Sequence, residues 1–496
     1  MIISAVDRIK PFASMSTVWK AGRVVNAACL IGLVLATTGC TTHADRLRAV
    51  RHSFYAGDLQ QANTSITEAA KKKSEQDLLH LDQAMVELFA GRPKDSEALL
   101  REVRDRFDEL QEKAVTEQVA SMIADDNRVA YSGEDYERIL IRVMLAISNL
   151  LQNGPDAFAY AHQILDEEQK LNEKRAEFVS DSQPIEDPPS PQFGIQPAGT
   201  SIVAQAAANS ETTSLPATSQ LAISHYLMGM LREQTHRDYH EALRHYEKSW
   251  QCKPDFLQVQ RDIERVKSSQ HSQRGNGVLY VITFVGQGPY KKQIAHLPTS
   301  EALLIADRIL SVTGKHSLPP TISPIKVPMV VRYKNEIDHV QVAVDAGPFV
   351  PTETIVDVSE LAEQAYQREF PQIVARAVVR RVLKKAAVYQ TKEFVSVHSP
   401  ILEFAFDLVG VAWEASESAD TRCWGLLPDR IQIARLELPA GEHSVRLQPS
   451  TISRFTPPPG TWTMEKVDVL IHDGQNTYLL ANFPGEKLVG QIVTSN

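Results

Sequence analysis

The sequence lacks the short motifs that carry common catalytic chemistries. Its nearest approach to a zinc site is His240-Glu241-Ala242-Leu243-Arg244-His245, whose histidines are five apart, whereas ligation from one helical face needs them four apart. His236 and His240 have that spacing but straddle a predicted turn. Gly286-Gln287-Gly288 has neither the third glycine nor the following helix of a dinucleotide loop. No Gly-x-Ser-x-Gly elbow and no Walker loop is present. No catalytic residue, metal ligand or cofactor site follows from the motifs, and no small-molecule substrate is identified.

Positive charge is also short. The 52 Lys and Arg face 61 Asp and Glu, for a net charge of −9. An acidic chain is a poor sequence-independent nucleic-acid binder, because displacing phosphate counterions takes a cationic face. A local basic patch remains compatible with that balance. Long apolar runs are missing beyond the N-terminus, where spanning a bilayer takes about 20 residues. At 496 residues the chain is too long for one ordinary core, so two or three domains are expected. With 43% apolar and 23% charged residues most of it folds, and 27 prolines point to linkers.

What is present begins with a basic stretch ending at Arg23, then the apolar run Val24-Val25-Asn26-Ala27-Ala28-Cys29-Leu30-Ile31-Gly32-Leu33-Val34-Leu35-Ala36, then Thr37-Thr38-Gly39-Cys40. This is the layout of a secretory signal peptide over residues 1–39. Its loss takes the net charge from −9 to −12, since Arg8, Lys10, Lys20 and Arg23 outnumber Asp7 by three. The small residues before Cys40 resemble the lipobox of bacterial lipoproteins, which implies a covalent lipid on that thiol and a membrane anchor. Two or three acyl chains, at about 0.8 kcal/mol per buried methylene, make such anchorage effectively permanent. Thr41 in place of Asp resembles the default address to the outer membrane, facing the periplasm. The alternative is a plain signal peptide that leaves Cys40 unmodified. Cys252 and Cys423 then remain, either bridged or, as favoured, as small buried hydrophobes.

From residue 43 to about 175 apolar residues recur at helical spacing, as in Leu78, Leu81, Met85 and Leu88, or Ile139, Val143, Ile147 and Leu150. Turns such as Tyr55-Ala56-Gly57-Asp58, Phe89-Ala90-Gly91-Arg92-Pro93 and Gln152-Asn153-Gly154-Pro155 separate them, with Gly closing a helix and a small Ala admitting the next. We read residues 40–177 as helical hairpins. The polar-aromatic stretch around 125–137 reads as a capped turn, with Ser132 and Asp135 as helix-start candidates. Residues 178–219, rich in Pro, Ser, Thr and Ala, read as a disordered linker or an insertion within the helical array. After it, over 220–270, Tyr226, Gly229, Tyr239, Ala242, Tyr246, Ser249 and Pro254 resemble the tetratricopeptide pattern with one extra residue in the turn. That resemblance implies a concave surface suited to extended partners. A compact helical bundle is the other reading.

Beyond 275 the run 278–285, VLYVITFV, reads as a buried strand. Further strands are expected at 327–333, 340–344, 401–406, 430–438, 444–447, 467–471 and 478–481, with 436–445 as a hairpin around Gly441. Within this β-rich region of 275–496 a helix is expected at 359–389, bent at Pro371. Its Arg376, Arg380, Arg381, Lys384 and Lys385 form a basic stripe, either a solvated face or a surface for lipid headgroups or an acidic partner. The most distinctive stretch is Ala419-Asp420-Thr421-Arg422-Cys423-Trp424-Gly425-Leu426-Leu427-Pro428, where Asp420 and Arg422 suit an ion pair beside Trp424.

The fold class is thus α+β and multidomain: tetratricopeptide-like helical repeats, then a β-rich, sandwich-like domain with one long helix. Together with the lipobox, the Gly277-Val278 to Gly288-Pro289 stretch, Phe370-Pro371-Gln372-Ile373-Val374-Ala375-Arg376-Ala377-Val378-Val379-Arg380 and, most distinctively, the Ala419 to Pro428 stretch, this combination resembles a family of uncharacterised bacterial lipoproteins with such an N-terminal half. The resemblance implies architecture and location and carries over no catalytic residue. The expected function is a membrane-anchored, non-enzymatic scaffold that engages protein partners of the cell envelope. The alternative is an envelope hydrolase or glycan-binding protein using a pocket around Arg422, Trp424 and Asp429.

Overall fold

The computed structural model describes residues 43–70, 76–116, 130–181, 218–236, 238–313, 324–394, 418–451 and 464–495. The predicted signal peptide, Cys40, nearly all of the predicted linker and the strand expected at 401–406 lie outside them. Helices occupy the N-terminal half and strands most of the C-terminal half. The helices are α1 (His43–Arg46), α2 (Arg48–Tyr55), α3 (Leu59–Ala69), α4 (Gln76–Phe89), α5 (Pro93–Thr116), α6 (Asp135–Leu151), α7 (Ala157–Asp181) and α8 (Thr218–Leu231). A π-helical turn (Arg232–His236), α9 (Tyr239–Cys252) and α10 (Leu257–Val266) follow.

Sequence neighbours pack in pairs, α2 with α3, α4 with α5, α6 with α7 and α8 with α9. Gly57 (φ 85°) and Gly91 (φ 78°) make the left-handed turns that close the first two pairs. In the third pair that conformation falls on Asn153 (φ 54°), not on Gly154. Gly154 instead leaves room for the Asn149 side chain, whose Oδ1 accepts from the Asp156 N–H (3.0 Å). Helix α6 starts at Asp135, one of the two candidates, and not at Ser132. Glu134 precedes it, and the Glu137 side chain reaches back to accept the Glu134 N–H (3.1 Å). Residues 136–151 of α6 are all buried, which marks it as a central helix.

The strands are β1 (Asn276–Gln287), β2 (Tyr290–His296), β3 (Ile325–Val331), β4 (Ile337–Val344), β5 (Val350–Pro351), β6 (Glu353–Asp357), β7 (Pro428–Pro439), β8 (Gly441–Thr451), β9 (Glu465–Ile471), β10 (Asn476–Phe483) and β11 (Val493–Thr494). One sheet has the order β11-β10-β1-β7-β6 and a second the order β5-β4-β8-β9. β1 is parallel to β10 and antiparallel to β7, with both faces covered. Its Val278, Tyr280, Ile282 and Phe284 join the helical core, while Leu279, Val281 and Val285 meet Val340, Val342 and Leu447 of the second sheet. Period-two alternation therefore gives three layers: helices, five-stranded sheet, four-stranded sheet.

The hairpin expected over 436–445 is not formed. β7 and β8 are consecutive but lie in different sheets, and Gly441 (φ 143°) turns the chain from one to the other while Ala440 N–H donates to Gly275 O (2.8 Å). The C-terminal segment crosses back to the helices, where Gln491 N–H donates to Phe89 O (2.8 Å) and Asn153 Nδ2 to Ser495 O. Residue 275 thus marks a change of secondary structure, while the hydrophobic core runs across it. A smaller cluster joins β2 and β3 to α11 (Ser300–Thr313) and α12 (Val358–Phe394), through Ala302, Ala306, Val327, Val374 and Val378. Pro371 lies inside α12.

Candidate functional site

The stretch 418–427 lies outside helices and strands, so its backbone polar groups need other partners. Two carboxylates from the helical layer supply them. Asp82 Oδ1 of α4 accepts the Leu426 N–H (2.9 Å), and Glu137 Oε1 of α6 accepts the Trp424 N–H (2.7 Å). Glu137 also accepts from Tyr131 Oη (2.5 Å). Burial pushes the Asp82 carboxyl up to about 7, offset in part by the Leu426 N–H and Arg51. Burial, reinforced by Glu134, raises Glu137 too. Asp420 and Arg422 form an ion pair (Nη2 to Oδ2 2.6 Å), and the Arg422 guanidinium lies over the Tyr131 ring at 5.1 Å. Trp424 is 1% exposed and Arg422 4%. Asp429 is buried and accepts from Ser359 Oγ. These three residues are packed in, so the pocket expected around them is absent among the described residues.

A cleft of about 850 Å³ opens beside that stretch. One wall is α1 and α2, with His43, Arg48, Arg51, His52 and Tyr55; another is Tyr290 and Lys292 of β2 with Tyr333; Cys423 and Gly425 complete it. Strand alternation explains β2's part: Tyr290 and Lys292 share one face, while Lys291 points the other way into a buried ion pair with Glu134. Arg51 is the centre of the arrangement. Its guanidinium lies 4.9 Å from the Tyr333 ring, 5.2 Å from Tyr290 and 5.8 Å from Tyr55. Among the described residues its Nη2 donates to Gly288 O (3.3 Å), the Tyr55 hydroxyl lies close by, and its Nε has no partner. Among the described residues no carboxylate pairs with it. The acid lining the cleft, Asp45, pairs with Arg48 (3.0 Å). Burial pushes the Cys423 thiol up to about 12, which keeps it protonated and poorly nucleophilic.

The basic stripe does not behave as one face. Arg381 is 9% exposed and donates to Pro324 O (2.8 Å), tying α12 to the approach of β3, because the position falls on the packed side of the helix. Arg376 and Arg380 are half-buried, and the side chains of Lys384 and Lys385 lie outside the description. Arg376, Arg380 and Arg381 do not line the cleft. Sequence reasoning missed Arg51, Asp82 and Glu137. Asp82 and Glu137 did leave a trace, as acids at positions otherwise reserved for the apolar face of a helix. Cys252 and Cys423 are free, as unbridged cysteines.

Elsewhere, Glu233 and Asp262 meet Arg265 and Arg435 where α8 to α10 rest on β1 and β7. Tyr226 Oη donates to Asp262 (2.9 Å) and Tyr246 Oη to Glu233 (3.0 Å). Comparison with protein families, curated proteins and solved structures finds no match.

Proposed function

We propose that the protein is a bacterial lipoprotein of the family described above, held by a lipid on Cys40 and facing the periplasm, and that it is a non-enzymatic binding component of an envelope assembly. The observation that carries this reading is the place of the cleft. Its first wall begins at His43, three residues beyond Cys40, and three residues span at most about 11 Å. An anchor on Cys40 therefore holds the cleft at the membrane surface. The protonated state of Cys423 favours binding over nucleophilic chemistry there.

The α8–α9 pair supports a tetratricopeptide-like reading of the helical layer. Tyr226 and Tyr246 rings lie 5.5 Å apart, and a Cβ on Gly229 would meet the Tyr246 ring at 2.7 Å, so the small residue sets the approach of the helices. The extra turn residue is absorbed by the π-helical turn, which is what a one-residue insertion produces in a helix. The sheet covers one side of this layer, so we place binding in the cleft and not in an open helical groove.

Intact mass and membrane fractionation of wild type beside Cys40→Ala, in a host that acylates lipoproteins, tests the anchor. Wild type is expected to carry the acyl mass and to sediment with membranes, and the variant to do neither. Two soluble, unacylated proteins would leave a free secreted protein in its place.

A further inference from the structure

We propose that the cleft is a phosphate site for an anionic phospholipid headgroup, with Arg51 as the principal ligand and Lys292 beside it; this rests on the lipid-anchored reading above. The argument starts from the state of Arg51. A guanidinium in a protein wall is ordinarily matched by a carboxylate or by several carbonyls, because desolvating an unmatched charge is expensive. Here three tyrosine rings and one carbonyl at 3.3 Å surround it, and no described carboxylate pairs with it. Ring faces stabilise the cation without consuming its forked donors, so the site is built to hold a charge whose partner comes from outside.

The chemistry of that partner follows from the lining. Among the described lining residues, Arg48, Arg51 and Lys292 stand against the single acid Asp45, itself paired with Arg48, in a chain that is acidic overall. A guanidinium with a nearby ammonium recognises phosphate oxygens through two parallel donors and a point charge. A volume of about 850 Å³ is the size of small-ligand sites and accommodates a headgroup, whereas a partner's helix or strand needs an open groove. The tyrosine hydroxyl-bearing rings of Tyr290 and Tyr333, 4.9 Å apart, are amphipathic side chains of the kind that sit at headgroup level. The position next to Cys40 selects a lipid as the source of the phosphate.

The test uses the full chain in a neutral detergent, titrated with short-chain phosphatidylglycerol, short-chain phosphatidylcholine and inorganic phosphate, with the intact mass of the same sample recorded. Wild type is expected to bind phosphatidylglycerol and to bind phosphatidylcholine at least about tenfold more weakly; Arg51→Gln should lose about tenfold or more, the range of one charge-assisted bidentate contact, and Arg51→Lys less. Lys292→Gln, at an exposed position, should lose severalfold with folding untouched. Equal binding by wild type, Arg51→Gln and Lys292→Gln overturns the proposal, as does equal affinity for the two lipids. Inorganic phosphate binding as tightly as phosphatidylglycerol, in an Arg51-dependent way, overturns the lipid source. Acylated protein without Arg51-dependent binding sinks the site and leaves the anchor; Arg51-dependent binding by unacylated protein sinks the anchor and leaves the site.

Discussion

Arg51 and Arg265 are both cations held largely out of solvent, and they are supplied in opposite ways. Arg265 meets Glu233 (Nη2 to Oε2 2.8 Å), Asp262 (3.1 Å) and the carbonyls of Gln270 (2.7 Å) and His271 (3.2 Å). Arg435 adds a second cation beside Asp262 (3.5 Å), so two cations face two acids inside the cluster. Arg51 has ring faces and one long carbonyl contact. A cation matched from within fastens α10 to the turn and strand beneath it. One matched only by rings fastens little and leaves electrostatic demand at a cavity. The difference teaches where function is to be sought: in the cluster whose charges do not close.

The largest effect separates the two clusters directly. Arg265→Met removes the ion-pair partner of Glu233 and one of the two cations on Asp262, acids that are each 1% exposed, and should cost about 3 to 5 kcal/mol, the range for breaking a buried pair from one side. Arg51→Met removes cation–π contacts and should cost about 1 kcal/mol or less. Urea unfolding of both variants measures this. Equal losses would mean that Arg51 is as structural as Arg265, and the contrast would collapse.

Asp82 sharpens the comparison through pH. It feels the charge of Arg51 and of Glu137, yet it accepts the Leu426 N–H and forms no ion pair with Arg51. Its folded-state carboxyl is raised from 3.8 to about 7, so the folded state keeps a proton that the unfolded chain releases. The stability this confers is full below about pH 4 and is lost as pH rises through 7, by roughly 4 kcal/mol for a shift of about three units. Asp82→Asn, which still offers an oxygen to Leu426, should flatten that decline. Unfolding midpoints at pH 4.5 and 7.5 check it, and an unchanged slope in the variant would remove Asp82 as its source. Glu137, also raised by burial, contributes in the same direction and would remain in the variant.

A smaller effect tests whether the helical and strand regions are one unit. Gly57 and Gly490 both have left-handed φ, 85° and 82°, so an alanine strains each by about 1 kcal/mol. A Cβ at Gly57 meets nothing within 4 Å, whereas at Gly490 it lies 2.4 Å from Phe89 O. Gly490→Ala should therefore exceed Gly57→Ala by a further 1 to 3 kcal/mol or so, the cost of overpacking. Equal effects would show that the C-terminal segment does not press on α4.

Much of this frame is legible in the sequence, and its gaps have physical causes. Continuous β-branched character over 278–285 marks a strand buried on both faces, and it is the central strand between helices and second sheet. The helical hairpins follow from spacing and turn glycines, whereas the π-helical turn that ends α8 has no such local signal. Gly441 was readable as a turn but not as a change of sheet, because local turn chemistry fixes the backbone and leaves the choice of pairing partner to tertiary packing. Arg381 shows the same limit, since a four-residue charge spacing cannot tell which side of α12 meets β3 and its approach. The cleft was invisible for a third reason. Its walls come from residues 43–56, 287–293, 333 and 423–425, and only long-range packing brings them together.

The smallest expected change in stability carries the most specific information about the cleft. Asp45 and Arg48 are i,i+3 neighbours with side chains 44% and 81% exposed, so Asp45→Asn should alter stability by less than about 1 kcal/mol. In the cleft the same substitution removes the one lining carboxylate among the described residues and leaves the lining cations Arg48, Arg51 and Lys292. Affinity for a phosphate ligand should rise severalfold, and the gain should shrink between low salt and about 0.15 M, where the screening length falls to about 8 Å. Arg265→Met moves stability and spares this binding; Asp45→Asn moves binding and spares stability. Titration of the variant at two ionic strengths, beside its urea midpoint, separates the two behaviours. An affinity that is unchanged at low salt would place the ligand's charge away from this wall of the cleft.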